Sequence, residues 1–307
     1  LRTINYRSRP ACLPKRYDIM TIHAHRLLSV TALLLVFLCG NLASGQTRWN
    51  SGQNVQPVFE GWERNPDGTF NMVYGYLNRN YQEEPYVPIG SSNFFEPGGS
   101  DRGQPTHFYP RRQSFVFKVQ VPADWGDKDL VWTVLHHGRT DKAYGSLWPV
   151  WEIDESVVKA NRGMGISGAY VDNGPPIIQI ASGETERTVT LPDAVTLTVL
   201  TNDDGIPGPD PEAAKRRGGR RGRPGPNRQN MVNPRDAVAE GLAVTWLHHR
   251  GPGSVKFDPT VPHITNGTAV TTARFSEPGI YVLRAVADDT VLTTTADVTV
   301  RVTAASH

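Results

Sequence analysis

Residues 275–289 read Phe275-Ser276-Glu277-Pro278-Gly279-Ile280-Tyr281-Val282-Leu283-Arg284-Ala285-Val286-Ala287-Asp288-Asp289. The stretch 279–287 is rich in β-branched and aromatic residues. Pro-Gly precedes it and Asp-Asp follows it, both turn formers, so it predicts one short strand. Working outward, comparable runs occupy 187–191, 194–200, 242–248, 254–257, 269–275 and 296–303, with Gly, Pro, Asn or Asp between them. Seven short strands in about 130 residues predict a β-sandwich with Greek-key links.

The first half has the same texture. Runs at 70–77, 114–121 and 130–136 predict strands. In 114–121, Phe115, Phe117, Val119 and Val121 fall on one face, with Val116, Lys118 and Gln120 on the other. Asn65-Pro66-Asp67-Gly68 is a turn, because Pro presets φ and Gly accepts positive φ. Helical periodicity is nearly absent, and 154–161 is the best short helix. The fold class is therefore all-β, with two β-sandwich domains. Asn173-Gly174-Pro175-Pro176 divides a Trp/Tyr-rich domain at 46–175 from a second at 176–307.

Several features of the second domain sit together. They are Ala194-Val195-Thr196-Leu197 leading to Asp203-Asp204-Gly205, then Val244-Thr245-Trp246, Gly251-Pro252-Gly253, the 275–283 stretch, and Ala287-Asp288-Asp289. On these residues, 177–302 resembles a bacterial PKD-type or immunoglobulin-like domain. The resemblance implies that Trp246 fills the centre between two sheets. It also implies that Tyr281 sits at a corner with its hydroxyl bonded to nearby backbone. The role it implies is that of an extracellular spacer or adhesion module, and it implies no catalysis. The first half resembles no characterised family.

With 38% hydrophobic and 20% charged residues among 307, the chain can bury a core, which excludes wholesale disorder. Residues 1–45 read as an upstream extension followed by a secretory signal. Met20 opens a basic region (His23, His25, Arg26), an apolar run follows at 27–40, and Ala43-Ser44-Gly45 favours cleavage before Gln46. Fourteen apolar-run residues span about 21 Å, short of the ~30 Å hydrocarbon core, so the run is no transmembrane helix. The chain is expected to be exported: periplasmic, cell-surface or secreted. Cys12 and Cys39 both precede the cut, leaving no disulfide and no thiolate chemistry.

Charge is uneven. After Gly45 there are 26 basic and 29 acidic residues, a net of −3. Seven of the cations, Lys215, Arg216, Arg217, Arg220, Arg221, Arg223 and Arg228, fall in one short stretch; without them the net is −10. The folded body is thus acidic, which argues against nucleic acid as a partner. The basic stretch lies in an insertion at 202–240 whose Gly, Pro and charge predict a long disordered loop. Beyond a solvated loop, it offers contact with an anionic cell-surface polymer or lipid headgroups.

Two candidate sites emerge. If 194–200 and 279–287 are the second and sixth strands of an immunoglobulin-like sandwich, the loops after them share one end. Asp203, Asp204, Asp288 and Asp289 then meet. Two carboxylates about 6 Å apart repel by about 3 kcal/mol at an effective dielectric of 20, so calcium, the insertion's arginines or plain turn formation are the alternatives. Calcium is the one cofactor this sequence suggests. The second site is Tyr144, Trp148 and Trp151, either an aromatic platform for a sugar ring or ordinary core and loop packing. Trp62, Trp125 and Trp132 read as core. Another extracellular protein is a further partner class.

Metal and enzyme chemistry find less support. Neighbours on a strand face opposite sides, so His136 and His137 are not expected to chelate one ion together, nor are His248 and His249. One His from each pair could form a composite site; the plainer reading is polar strand ends. There is no G-x-S-x-G elbow, H-E-x-x-H, P-loop or dinucleotide fingerprint. A glycoside hydrolase would have to rest on Glu83-Glu84 or Glu152, Asp154 and Glu155. The sequence is read as non-enzymatic.

Overall fold

In the first half, β1 (Val55–Arg64), β2 (Phe70–Asn78) and β4 (Arg111–Val121) form one antiparallel sheet in the order β1-β2-β4. A second sheet, β3-β5-β6, comprises β3 (Asn93–Glu96), β5 (Leu130–His136) and β6 (Arg139–Gly145). This computed structural model describes residues 48–161, 170, 172–183, 185–213, 215 and 234–305. The 1–45 leader expected from sequence lies outside them.

Aromatic rings fill the space between these sheets. Tyr74, Phe95, Phe108, Phe117 and Trp132 are all buried. Trp132 stacks on Phe95 at 5.9 Å and meets Phe117 edge-on at 5.0 Å. The two polar tips find partners: the Tyr74 hydroxyl donates to Leu130 O at 2.6 Å, and the Trp132 indole to Asn93 Oδ1 at 2.9 Å. Trp62 and Trp125 are buried too. The Asn65–Gly68 turn forms with Gly68 at φ 87, and the Asp67 carboxylate accepts from Thr69 N–H.

Alternation in β4 holds over only part of the run. Phe117, Val119 and Val121 are buried, but Phe115 sits at φ 54 where the β2–β4 register slips between Tyr74 and Tyr76. The bulge turns Phe115 partly outward and lets Val116 pack against the core. Opposite it, Gly75 has no room for a Cβ, which would overlap Glu60 Oε1 and the Gln113 carbonyl.

The second half contains β7 (Ile177–Ile180), β8 (Glu186–Thr190), β9 (Val195–Asn202), β10 (Ala243–Arg250), β11 (Val255–Asp258), β12 (Thr268–Phe275), β13 (Gly279–Asp288) and β14 (Thr293–Thr303). They make two four-stranded sheets, β11-β12-β9-β7 and β10-β13-β14-β8. The first edge is split: β7 pairs antiparallel with β9, and β8 pairs parallel with β14 on the opposite sheet. Apart from that split edge, the strand groupings are those of the immunoglobulin fold. Trp246 is buried near the centre, stacked on Phe257 at 6.3 Å. The Tyr281 hydroxyl donates to Glu277 O at 2.8 Å, the tyrosine-corner bond of this fold. The second half is an immunoglobulin-like β-sandwich.

The described elements also include two short α-helices: α1 (Glu155–Asn161), capped by Asp154 through Val157 N–H, and α2 (Pro234–Glu240). The insertion joins β9 to β10, and its far end is α2. Ala237 and Val238 are buried there, and Asp210 N–H bonds to Val238 O at 2.8 Å, tying the two ends of the insertion together. Among the described residues, no helix is long and apolar enough to cross a membrane.

Candidate functional site

Among the described residues, an exposed aromatic group spans the end of β6 and the turn after it. Tyr144 is 58% exposed, Trp148 64% and Trp151 47%. Trp148 caps a 3-10 turn, Pro149–Trp151, whose Pro presets its first position. The buried Trp62 indole donates to Trp148 O at 2.9 Å, and Ile153 N–H bonds to Trp62 O at 2.9 Å. Phe59 of β1 meets the Trp151 ring edge-on at 6.0 Å. The turn is thus clamped to β1 while its indoles face solvent.

The four aspartates gather at one end of the second sandwich, and each folds a loop. Asp203 accepts from Gly205 N–H, Asp204 from Ile206 and Gly174 N–H, and Asp288 from Thr290 N–H. Asp289, fully buried, accepts from Val291 and Leu292 N–H and from Asn173 Nδ2. Burial pushes its pKa up to about 6 despite these bonds, and the charges of Asp203 and Asp288 push the same way. Asp203 is also raised, by burial first. Of the basic stretch, Lys215 pairs with Glu212 at 2.6 Å. Arg216, Arg217, Arg220, Arg221, Arg223 and Arg228 lie outside the described residues.

His248 and His249 face different surroundings, as strand alternation predicts: the His248 ring meets Tyr281, and His249 lies beside Arg284 and Asp297. Both are nevertheless buried rather than standing as polar strand ends, next to a register slip in β10 between His248 and Arg250. They lie where the two halves meet. The Tyr109 hydroxyl accepts from His248 N–H at 2.7 Å, and the His248 ring stacks on His107 at 4.3 Å. Thr106 N–H bonds to His249 O at 3.1 Å, and Gly251 N–H to Thr106 Oγ1 at 3.0 Å. Arg250 reaches Gln104 O at 2.7 Å and forks onto Asp101; Arg284 forks onto Asp297 and donates to Val116 O at 2.6 Å. Burial pulls the pKa of His248 and of His249 down to about 3. Beside this junction is a mixed-charge cleft of about 1020 Å³, lined by residues of both halves including Lys118, Glu155 and Thr295.

His136 and His137 lie on the same side, against the sequence expectation. β5 ends at His136 and β6 begins at Arg139, so His137 is a turn residue, at φ 49, followed by Gly138 at φ 71. Two successive left-handed residues break the two-residue alternation. The imidazole centroids are 3.9 Å apart, and Glu83 Oε1 is 2.9 Å from His137 Nε2. Glu83 was a sequence candidate only as part of an acidic pair. Its approach to the histidines comes from the loop after β2, and nothing in the local sequence signals it.

No protein-family model matches the chain, and no curated protein matches it. Among solved structures, the chain is similar to domains 4 and 5 of the S-layer protein SbsC, at 11% identity over 58% of this chain and 66% of that one, TM-score 0.24. It is similar to fibronectin(III)-like modules of Clostridium thermocellum CbhA, at 11% identity over 83% and 97%, TM-score 0.22. Tandem Ig repeats of Dlar align at 11% identity over 82% and 98%, TM-score 0.26.

Proposed function

We propose that this chain is an exported, non-catalytic β-sandwich module of the cell surface or periplasm that holds a glycan on an aromatic platform. Exposure of Trp148 and Trp151 on a turn fastened to β1 carries this reading. Large indoles left in water lose the stabilisation of burial, about 1.5–3 kcal/mol for a large apolar side chain, unless a ligand covers them. A fixed turn holds the rings in place before binding, so little ordering entropy is lost on contact. Sugar rings present apolar C–H faces that stack on such surfaces. The tandem of two sandwiches suits a spacer role.

Retention on a panel of insoluble polysaccharides tests it. The full chain should bind at least one, and Trp148→Ala or Trp151→Ala should weaken retention about tenfold, the loss of roughly 1.4 kcal/mol. Binding to none of the panel, unchanged binding by both variants, or release of soluble sugar by the purified chain would each refute the reading.

A further inference from the structure

The Glu83, His136 and His137 side chains form a second, unrelated arrangement. Their candidate ligand atoms all lie within 4.8 Å of one another, in the one group of three or more His, Cys, Asp or Glu this close among the described residues. His137 Nε2 and His136 Nε2 stand 2.9 and 3.9 Å from Glu83 Oε1. A tetrahedral ion with bonds of about 2.05 Å needs its ligand atoms about 3.3 Å apart. Small side-chain rotations bring the three to that spacing.

We propose that this cluster is a zinc-class metal site. The donor set is two imidazoles and one carboxylate, which suits zinc and its transition-metal neighbours and not calcium, which takes oxygen ligands only.

The backbone prepares the site. Glu83 N–H bonds to Asn50 O at 3.0 Å, Asn78 Nδ2 donates to Glu83 O at 2.8 Å, and Gly52 N–H donates to Glu83 Oε2 at 2.6 Å. One carboxylate oxygen is thereby held and the other is directed at the imidazoles, as outer hydrogen bonds orient ligands in metal sites. The two-residue turn fixes both rings at the tip of the β5–β6 hairpin. The Glu83–His137 contact at 2.9 Å does not by itself account for the His136 ring packed alongside, with imidazole centroids 3.9 Å apart. His137 is exposed, so the remaining coordination position opens to solvent and would hold water or an incoming ligand.

The test is zinc titration of the full chain after chelator treatment, by calorimetry at neutral pH, with cobalt absorption as a second readout. About one zinc per chain should bind, and His137→Asn, which tolerates the left-handed turn, should weaken it at least tenfold, as should Glu83→Gln. The same variants should abolish the cobalt band. Failure to take up zinc overturns the proposal. So does equal uptake by both variants, which would place the ion on other histidines such as His263. Should Glu83→Gln unfold, His137→Asn alone decides.

Discussion

Lowering the pH from 7 to 5 probes the junction between the two halves directly. His248 and His249 have pKa values of about 3 in the folded chain, against 6.5 for a free imidazole. Burial is the first cause for both; the second is His107 beside His248 and Arg284 beside His249. His107, Tyr109 and Tyr281 face His248, with Glu84 behind His107. Arg250, Arg284 and Asp297 surround His249.

Because the folded pKa is depressed, the unfolded chain takes up the proton first. The stability these groups contribute is complete above pH 6.5 and is lost as the pH falls from 6.5 toward 3. Between pH 7 and pH 5 each imidazole removes about 2 kcal/mol, about 4 for the pair. Asp289 acts in the opposite direction. Its folded pKa of about 6 exceeds the ordinary 3.8, so the folded chain gains the proton first as the pH falls. It returns about 1 kcal/mol by pH 5, leaving a net loss of about 3 kcal/mol. That is a large share of the roughly 5–15 kcal/mol that stabilises a folded domain.

Urea unfolding midpoints at pH 7, 6 and 5 measure this loss, with the slope m checking that the transition stays two-state. His248→Phe is the informative variant. The His248 ring stacks on His107, so a phenyl ring keeps the packing and removes the titration. The variant should lose about 2 kcal/mol less than the parent on going from pH 7 to pH 5. Parallel stability curves for the two proteins would refute the reasoning, as would a His248 ring-proton titration near 6.5.

Two further expectations concern packing. Gly75→Ala places a methyl group against Glu60 and the Gln113 carbonyl at the bulge, and should destabilise the chain by about 1–3 kcal/mol in thermal or urea unfolding. Tyr281→Phe removes the corner bond to Glu277 O while leaving the ring in the core, and should lower stability by about 1 kcal/mol without altering the circular-dichroism spectrum.

How much of this could be read from sequence depended on what holds each segment in place. Strands that bury alternate side chains were legible: 130–136 and 279–287 coincide with β5 and β13 to within one residue. β1, β3, β6 and β7 were not. β6, Arg-Thr-Asp-Lys-Ala-Tyr-Gly, buries only Ala143 and Gly145; it is a strand because the hairpin turn sets it in register with β5, from His136↔Arg139 to Leu130↔Gly145. The aspartate loops were placed at one end by strand order alone, and Asp203 lies within electrostatic reach of Asp289. The same periodicity argument failed at His137, and it failed for a local reason. Alternation applies to residues in extended backbone, and His137-Gly138 sits between two strand-like runs with no other residue to turn the chain. A two-residue hairpin loop of type I′ has positive φ at both central positions, which Gly138 supplies freely and His137 adopts under the constraint of the flanking strands. Recognising the turn would have put both imidazoles on one side. Glu83 would still have been missed, because its position depends on hydrogen bonds to Asn50 and Gly52 from a loop more than fifty residues before the hairpin in the chain. The two imidazoles therefore follow from a local rule applied at the right dipeptide, whereas the carboxylate that completes the group follows only from tertiary pairing.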